Sequence, residues 1–195
     1  MGQRNFFPLS GVEYHSAFKY NTIEAEAAGH SMKILDFIQN ILIDEFKKIL
    51  QTQGQHYLSF SLICQGIEFL GACLDTEPFS AKGLSAARFR RAIYDLFPIS
   101  YRQFNQGSGR PFDLYDHLHC GLLHTILPEL PIELIQRSEK ETLNASHLEV
   151  KEIRGTHKLV LAEEDLFEDY ENACQEIIAR VRDGRLKGWK FMGEL

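Results

Sequence analysis

Between Tyr57 and Leu74 the chain carries Leu58, Phe60, Leu62, Ile63, Ile67, Phe69, Leu70 and Leu74, and its only formal charge is Glu68. A helix that is apolar all round has no face to offer water, so it must sit at the centre with other elements packed around it. Gly66, Gly71 and Ala72 let such neighbours approach closely, while the β-rich stretch 57–63 leaves a strand as the competing reading. Glu68 reads as a satisfied or solvent-facing carboxylate, with a buried functional acid as the alternative.

The rest of the pattern is helical. Ile34, Ile38, Ile41, Leu42, Phe46, Ile49 and Leu50 share one stripe, predicting a helix over 31–51 with Ser31 as its cap and Gly54 beyond its end. Ser85 is the expected cap of a helix over 86–97, closed by Pro98. Leu166, Phe167, Tyr170, Cys174, Ile177, Ile178 and Val181 define a last helix over 163–182, with acids in its first turns and Arg180 and Arg182 in its last. Pro128 and Pro131 break the chain, and 148–161 alternates around Arg154-Gly155 as a β-hairpin. The expected fold is therefore all-α, a helical bundle with a small β-hairpin before the C-terminal helix. Residues 1–30, aromatic-rich and without period, are expected to wrap the domain 31–183. The tail 184–195 carries Trp189 and Phe191 as anchors.

The 195 residues suffice for one substantial core, and 44% apolar with 25% charged residues is ordinary for a globular protein. No stretch reads as a membrane span or a signal peptide. Cys64, Cys73, Cys120 and Cys174 form no close pair and read as reduced thiols, three of them core-filling, in a cytoplasmic protein. A net charge of −6 argues against nucleic-acid binding by the whole surface. The charge is uneven, however. Residues 82–110 hold Lys82, Arg88, Arg90, Arg91, Arg102 and Arg110 against Asp95 alone, whereas 129–176 hold 13 acids against five bases. Arg88, Arg90, Arg91, Arg102 and Arg110 are the candidate contacts to RNA or a nucleotide. The plainer reading is a solvated face, with Arg88, Arg91 and Asp95 forming a surface ion network.

Three histidines and a cysteine crowd into His117-Leu118-His119-Cys120-Gly121-Leu122-Leu123-His124. Pro111 suits the first turn of the helix that bears them, after the flexible loop 105–110. That glycine-rich loop is a weak phosphate site, since Asp113 and Asp116 would repel an anion. On an α-helix Asp113, His117, Cys120 and His124 fall on one face, a weak alternative metal site that would need help from His56, His147 or His157. The plain reading packs Leu114, Leu118, Leu122 and Ile126 inward, with His117 hydrogen-bonded at the surface and Cys120 a small filler. No cofactor is indicated.

The segment His119-Cys120-Gly121-Leu122-Leu123-His124 resembles the motif of the HEPN superfamily, Arg then four to six residues then His, with His119 in place of Arg. Phe112-Asp113-Leu114-Tyr115-Asp116, Leu148, Leu159-Val160-Leu161 and Leu166-Phe167-Glu168-Asp169-Tyr170 are similar to uncharacterised bacterial HEPN-like proteins over 31–183. The resemblance implies a helical bundle that dimerises, here through residues 111–126. In many members it also implies metal-independent RNA cleavage, with His124 as acid/base and His119 at the cationic position. Histidine lacks the permanent charge and planar donor fork of arginine, and Cys120 stands where the family often has a polar residue. The expectation is thus a non-catalytic RNA-binding, nucleotide-binding or regulatory module. A ribonuclease using His119 and His124 is the first alternative, and a structural or protein-interaction domain without a nucleic-acid role is the second.

Overall fold

A computed structural model describes residues 33–52, 54, 56–125 and 127–186. The expected wrapping segment 1–30, the Ser31 cap, Ile126 and the anchors Trp189 and Phe191 lie outside the described residues.

Helix α1 is continuous from Ile34 to Leu50 in three stretches: α-helical Ile34–Phe37, π-helical Ile38–Glu45 and α-helical Phe46–Leu50. Its buried side chains are Ile34, Ile38, Leu42 and Phe46 of the expected stripe, joined by Ile43. The wider turn of a π-helix, which bonds i to i+5, places adjacent Leu42 and Ile43 both on the core side.

Helix α2, His56–Leu74, is the core helix, and the strand alternative for 57–63 is set aside. By length and composition this 19-residue helix is apolar enough to cross a membrane, with a mean hydropathy of 1.4, which corrects the expectation that no stretch is. Most of that stretch, 61%, is instead buried inside the protein. Gly66 and Gly71 make this possible. A methyl group on Gly71 would overlap the Arg88 carbonyl of α3, and one on Gly66 would overlap the Tyr170 hydroxyl of α6. Only hydrogen fits at either contact, against backbone at Gly71 and against a phenol ring at Gly66.

Helix α3 spans Ser85–Leu96 and buries Arg88, Phe89, Ala92 and Ile93. A 3-10 turn, Ile99–Phe104, follows Pro98 and buries Tyr101 and Phe104. Helix α4 joins a π-helical stretch, Leu114–Cys120, to an α-helical one, Gly121–Thr125. It begins at Leu114, with Asp113 as its cap, so Pro111 precedes the helix rather than occupying its first turn.

The chain then forms strand β1, Ile132–Ile135, which the sequence reading left without structure. A 3-10 turn, Arg137–Glu139, leads into the short helix α5, Lys140–Leu143. Strands β2, Glu149–Ile153, and β3, Thr156–Ala162, make the expected hairpin. At its turn Arg154 and Gly155 both have positive φ, 54° and 77°, as a two-residue type I′ turn requires. The sheet order is β1-β3-β2, with β1 parallel to β3 and Ile132 opposite Leu159. The protein is therefore mostly helical with a three-stranded sheet, not all-α with a lone hairpin. Leu159 and Leu161 enter the main core, while Val160 and Ala162 enter a smaller one with Ile135, Ala145 and Ile153. Both faces of β3 are covered, hence its unbroken apolar run.

Helix α6, Glu163–Arg182, starts directly after β3 and buries Leu166, Phe167, Tyr170, Ala173, Cys174, Ile177 and Ile178. Glu163, Glu164 and Asp165 occupy its first turn and Arg180 and Arg182 its last, in the sense that favours the helix dipole.

Candidate functional site

The loop ahead of α4 folds onto its own carboxylate. Gly107, with φ 108°, donates its N–H to Asp113 Oδ2 at 3.0 Å, and Asn105 donates to the Arg90 carbonyl at 2.8 Å. Phe112 takes a left-handed φ of 64°, turning the chain so that Asp113 caps α4 by accepting from Asp116 N at 3.1 Å. Asp113 also receives both prongs of the Arg90 guanidinium, at 2.6 and 2.8 Å, and Arg90 reaches Asp116 at 3.2 Å. Burial by itself would raise the Asp113 pKa. The Arg90 pair and the N–H groups of Asp116 and Gly107 outweigh burial and hold it below the usual carboxylate value. The loop donor that a phosphate would need is already engaged with a carboxylate.

Within α4, Leu114, Leu118 and Leu122 are buried as expected, and so is His119 at 2% exposure. The π-helical stretch accounts for this: His119 is five residues beyond Leu114, and the wider turn brings it round to the core side. Its ring stacks on Tyr115 at 4.8 Å and meets the Phe89 ring edge at 5.0 Å. His119 Nε2 lies 3.0 Å from Glu68 Oε2 of α2. Ser85 Oγ donates to the same oxygen at 2.6 Å and accepts from Tyr115 Oη at 3.1 Å. Ser85 is thus a link in this chain, and the cap position of α3 belongs to Leu84, which makes no side-chain capping bond. Burial pushes the His119 pKa below its usual value against the pull of Glu68, and His124 adds to the depression.

His124 itself is exposed near the end of α4. The two motif histidines therefore do not share an open groove: one is sealed among aromatic rings and the other faces water. His117 Nδ1 meets Glu129 Oε2 at 2.7 Å, and its Nε2 lies 3.3 Å from the Arg110 carbonyl. Cys120 is half-buried, and Cys64, Cys73 and Cys174 are buried fillers. The metal alternative is not assembled. Asp113 is engaged with Arg90 and His117 with Glu129, and no group of three or more suitable side chains is brought together among the described residues.

The five candidate arginines divide. Arg88, 5% exposed, donates to Asp75 at 2.7 Å and to the carbonyls of Phe79 and Pro78 at 3.0 and 2.8 Å, clamping the loop after α2. Arg88 therefore leaves the expected surface network to Arg91 and Asp95, 3.5 Å apart. Arg90 is committed to Asp113. Arg91, Arg102 and Arg110 remain exposed, with Arg102 stacked 4.1 Å over the exposed Tyr94 ring.

A second polar chain was not visible in the sequence. The Ala162 N–H donates to His147 Nδ1 at 3.0 Å, which fixes the ring's proton on Nε2. Nε2–H then donates to Tyr101 Oη at 2.8 Å, and Tyr101 O–H donates to Asp169 Oδ2 at 2.7 Å. Burial lowers the His147 pKa to about 4 and raises those of Tyr101 and Asp169. Separately, His56 Nδ1 lies 2.7 Å from Glu163 Oε2 at the start of α6. The spacings i, i+4 of Tyr115 and His119 and the lone charge of α2 were the available signals for the first chain. Nothing local joins Tyr101, His147 and Asp169.

No protein-family profile matches the chain, and neither curated proteins nor solved structures give a significant match.

Proposed function

We propose that this chain is a non-catalytic HEPN-like helical module of the cytoplasm that works by binding or regulation rather than by chemistry. The observation that supports this is the burial of His119. A group that must stabilise charge on RNA has to reach the phosphate, whereas His119 is walled in by Tyr115 and Phe89 and donates to Glu68. On this reading RNA or a nucleotide is held by the exposed Arg91, Arg102 and Arg110, and Arg88 and Arg90 serve the fold. Self-association through residues 111–126 belongs to the same proposal.

The test is direct. Purified chain is incubated with single-stranded and hairpin RNAs from pH 5 to 8 with chelator present. The RNAs stay intact, and wild type and His124→Ala behave alike. Cleavage that resists chelation and vanishes in His124→Ala overturns the reading in favour of a ribonuclease. Binding is measured in parallel at two salt concentrations. Joint replacement of Arg91, Arg102 and Arg110 by Gln weakens it severalfold and flattens its salt dependence. Absence of any RNA or nucleotide affinity would leave the protein-interaction alternative in its place.

A further inference from the structure

Glu68 opens onto a cleft of about 340 Å³ whose walls include Gln65, Phe69, Phe79 and Leu123. The cleft is open, and its wall sets apolar Phe69, Phe79 and Leu123 beside polar Gln65, Glu68 and Arg88. Phe69 and Phe79 stack at 5.2 Å, bracing that wall.

The carboxylate is held in an unequal way. Oε2 accepts from both Ser85 Oγ and His119 Nε2, which fills its two lone-pair positions. Oε1 has no partner among the described residues, and the Glu68 side chain is 31% exposed. Both donors on Oε2 are neutral. His119 Nδ1 is buried with no hydrogen-bond partner among the described residues, so a proton there would be an unsatisfied buried N–H, and the ring carries its proton on Nε2 instead. Arg88, the cation in the cleft wall, turns its guanidinium to Asp75 and the carbonyls of Pro78 and Phe79. No described cation therefore balances Glu68. With Oε1 unpartnered among the described residues and the side chain part-exposed beside Phe69 and Leu123, Glu68 is placed to accept a cation that a ligand brings.

We propose that this cleft binds a small organic ammonium compound, its charged nitrogen on Glu68 Oε1 and its apolar body against Phe69, Phe79 and Leu123. The single open oxygen selects the type of cation. A guanidinium presents a planar fork suited to two oxygens, whereas an ammonium is a point charge that one oxygen can serve. The proposal is independent of whether the chain binds RNA, since none of the exposed arginines takes part.

Calorimetric titration of the full chain with 2-phenylethylammonium, 2-phenylethylguanidinium and 3-phenylpropionate tests it. The ammonium binds, the guanidinium binds more weakly, and the carboxylate does not bind. Glu68→Gln, which keeps the shape and removes the charge, weakens the ammonium by about tenfold. Gln65→Glu adds a second negative group on the exposed rim and tightens the ammonium severalfold, and it decides the matter if Glu68→Gln does not fold. Failure of the ammonium to bind, equal binding of the ammonium and the carboxylate, or indifference of the ammonium to Gln65→Glu overturns the proposal.

Discussion

Arg90 of α3 grips Asp113 with both prongs of its guanidinium, across 23 residues of sequence, at a carboxylate that is completely shielded from solvent. Removing the cation strands a buried charge, which costs more than the pair is worth. Arg90→Ala is expected to destabilise the protein by about 3 kcal/mol, and Arg90→Ala with Asp113→Asn by clearly less. Denaturant unfolding of the two single variants and the double variant measures this. Equal losses from Arg90→Ala and the double variant would show that the stranded charge is not what matters.

The contacts of Gly71 with Arg88 and of Gly66 with Tyr170 leave no room for a methyl group. Gly71→Ala faces backbone, which cannot rotate away, and Gly66→Ala faces a hydroxyl at the end of a packed ring. Each is expected to cost about 2–3 kcal/mol by overpacking, although alanine is the better helix former by about 1 kcal/mol. Gly71→Ala is the more severe of the two. A stabilised Gly71→Ala protein in thermal unfolding would mean that α2 and α3 are not in backbone contact.

Much of this architecture could be read from the sequence. The helix apolar on every side, the stripe of α6 and the alternation around Arg154-Gly155 are local patterns, and each element formed where its pattern lay. Strand β1 could not be read that way. Its four residues have no periodicity of their own and become a strand only by pairing with β3. The site was harder still. Arg88 and Arg90 look like any surface arginines until α3 is placed against Asp75 and Asp113. His119 falls off the leucine stripe at α-helical spacing, and only the π-helical turn brings it inward. The motif drew attention to His119 and His124, but the contact that His119 makes is with Glu68 of α2, which the motif did not include.

His119 is a buried base and His147 a half-buried one, and the pKa values of both lie below that of an exposed histidine, His147 at about 4. Below pH 6.5 the unfolded chain takes up protons that the native rings refuse, so stability falls as pH drops from 6.5 and levels off near 4 for His147. The full loss through His147 is about 3 kcal/mol. Urea unfolding at pH 7 and pH 4.5 checks the direction, and His147→Asn, which keeps an acceptor for the Ala162 N–H, has a shallower dependence. A wild-type stability that holds steady over this interval would contradict the burial of these rings.

Of the four thiols only Cys120 is less than fully buried, and burial pushes the Cys174 thiol up to about 12. Thiolates, not thiols, react with disulfide reagents. In the native protein one thiol should therefore react first, and mass mapping should place the label on Cys120, with Cys64, Cys73 and Cys174 reacting only after unfolding. Early labelling of Cys174 would show that α6 does not seal it.

The parallel pairing of β1 with β3 also sets an order of events for the newborn chain. Strand β1 emerges with nothing to join, because its partner is translated only after α5 and β2. The hairpin can zip by itself across its two-residue turn, and its inner strand then offers a ready edge to the waiting segment. Helix α6, which continues from β3 without a loop, is carried into place by the same closure, so the last helix and the earliest strand become fixed together.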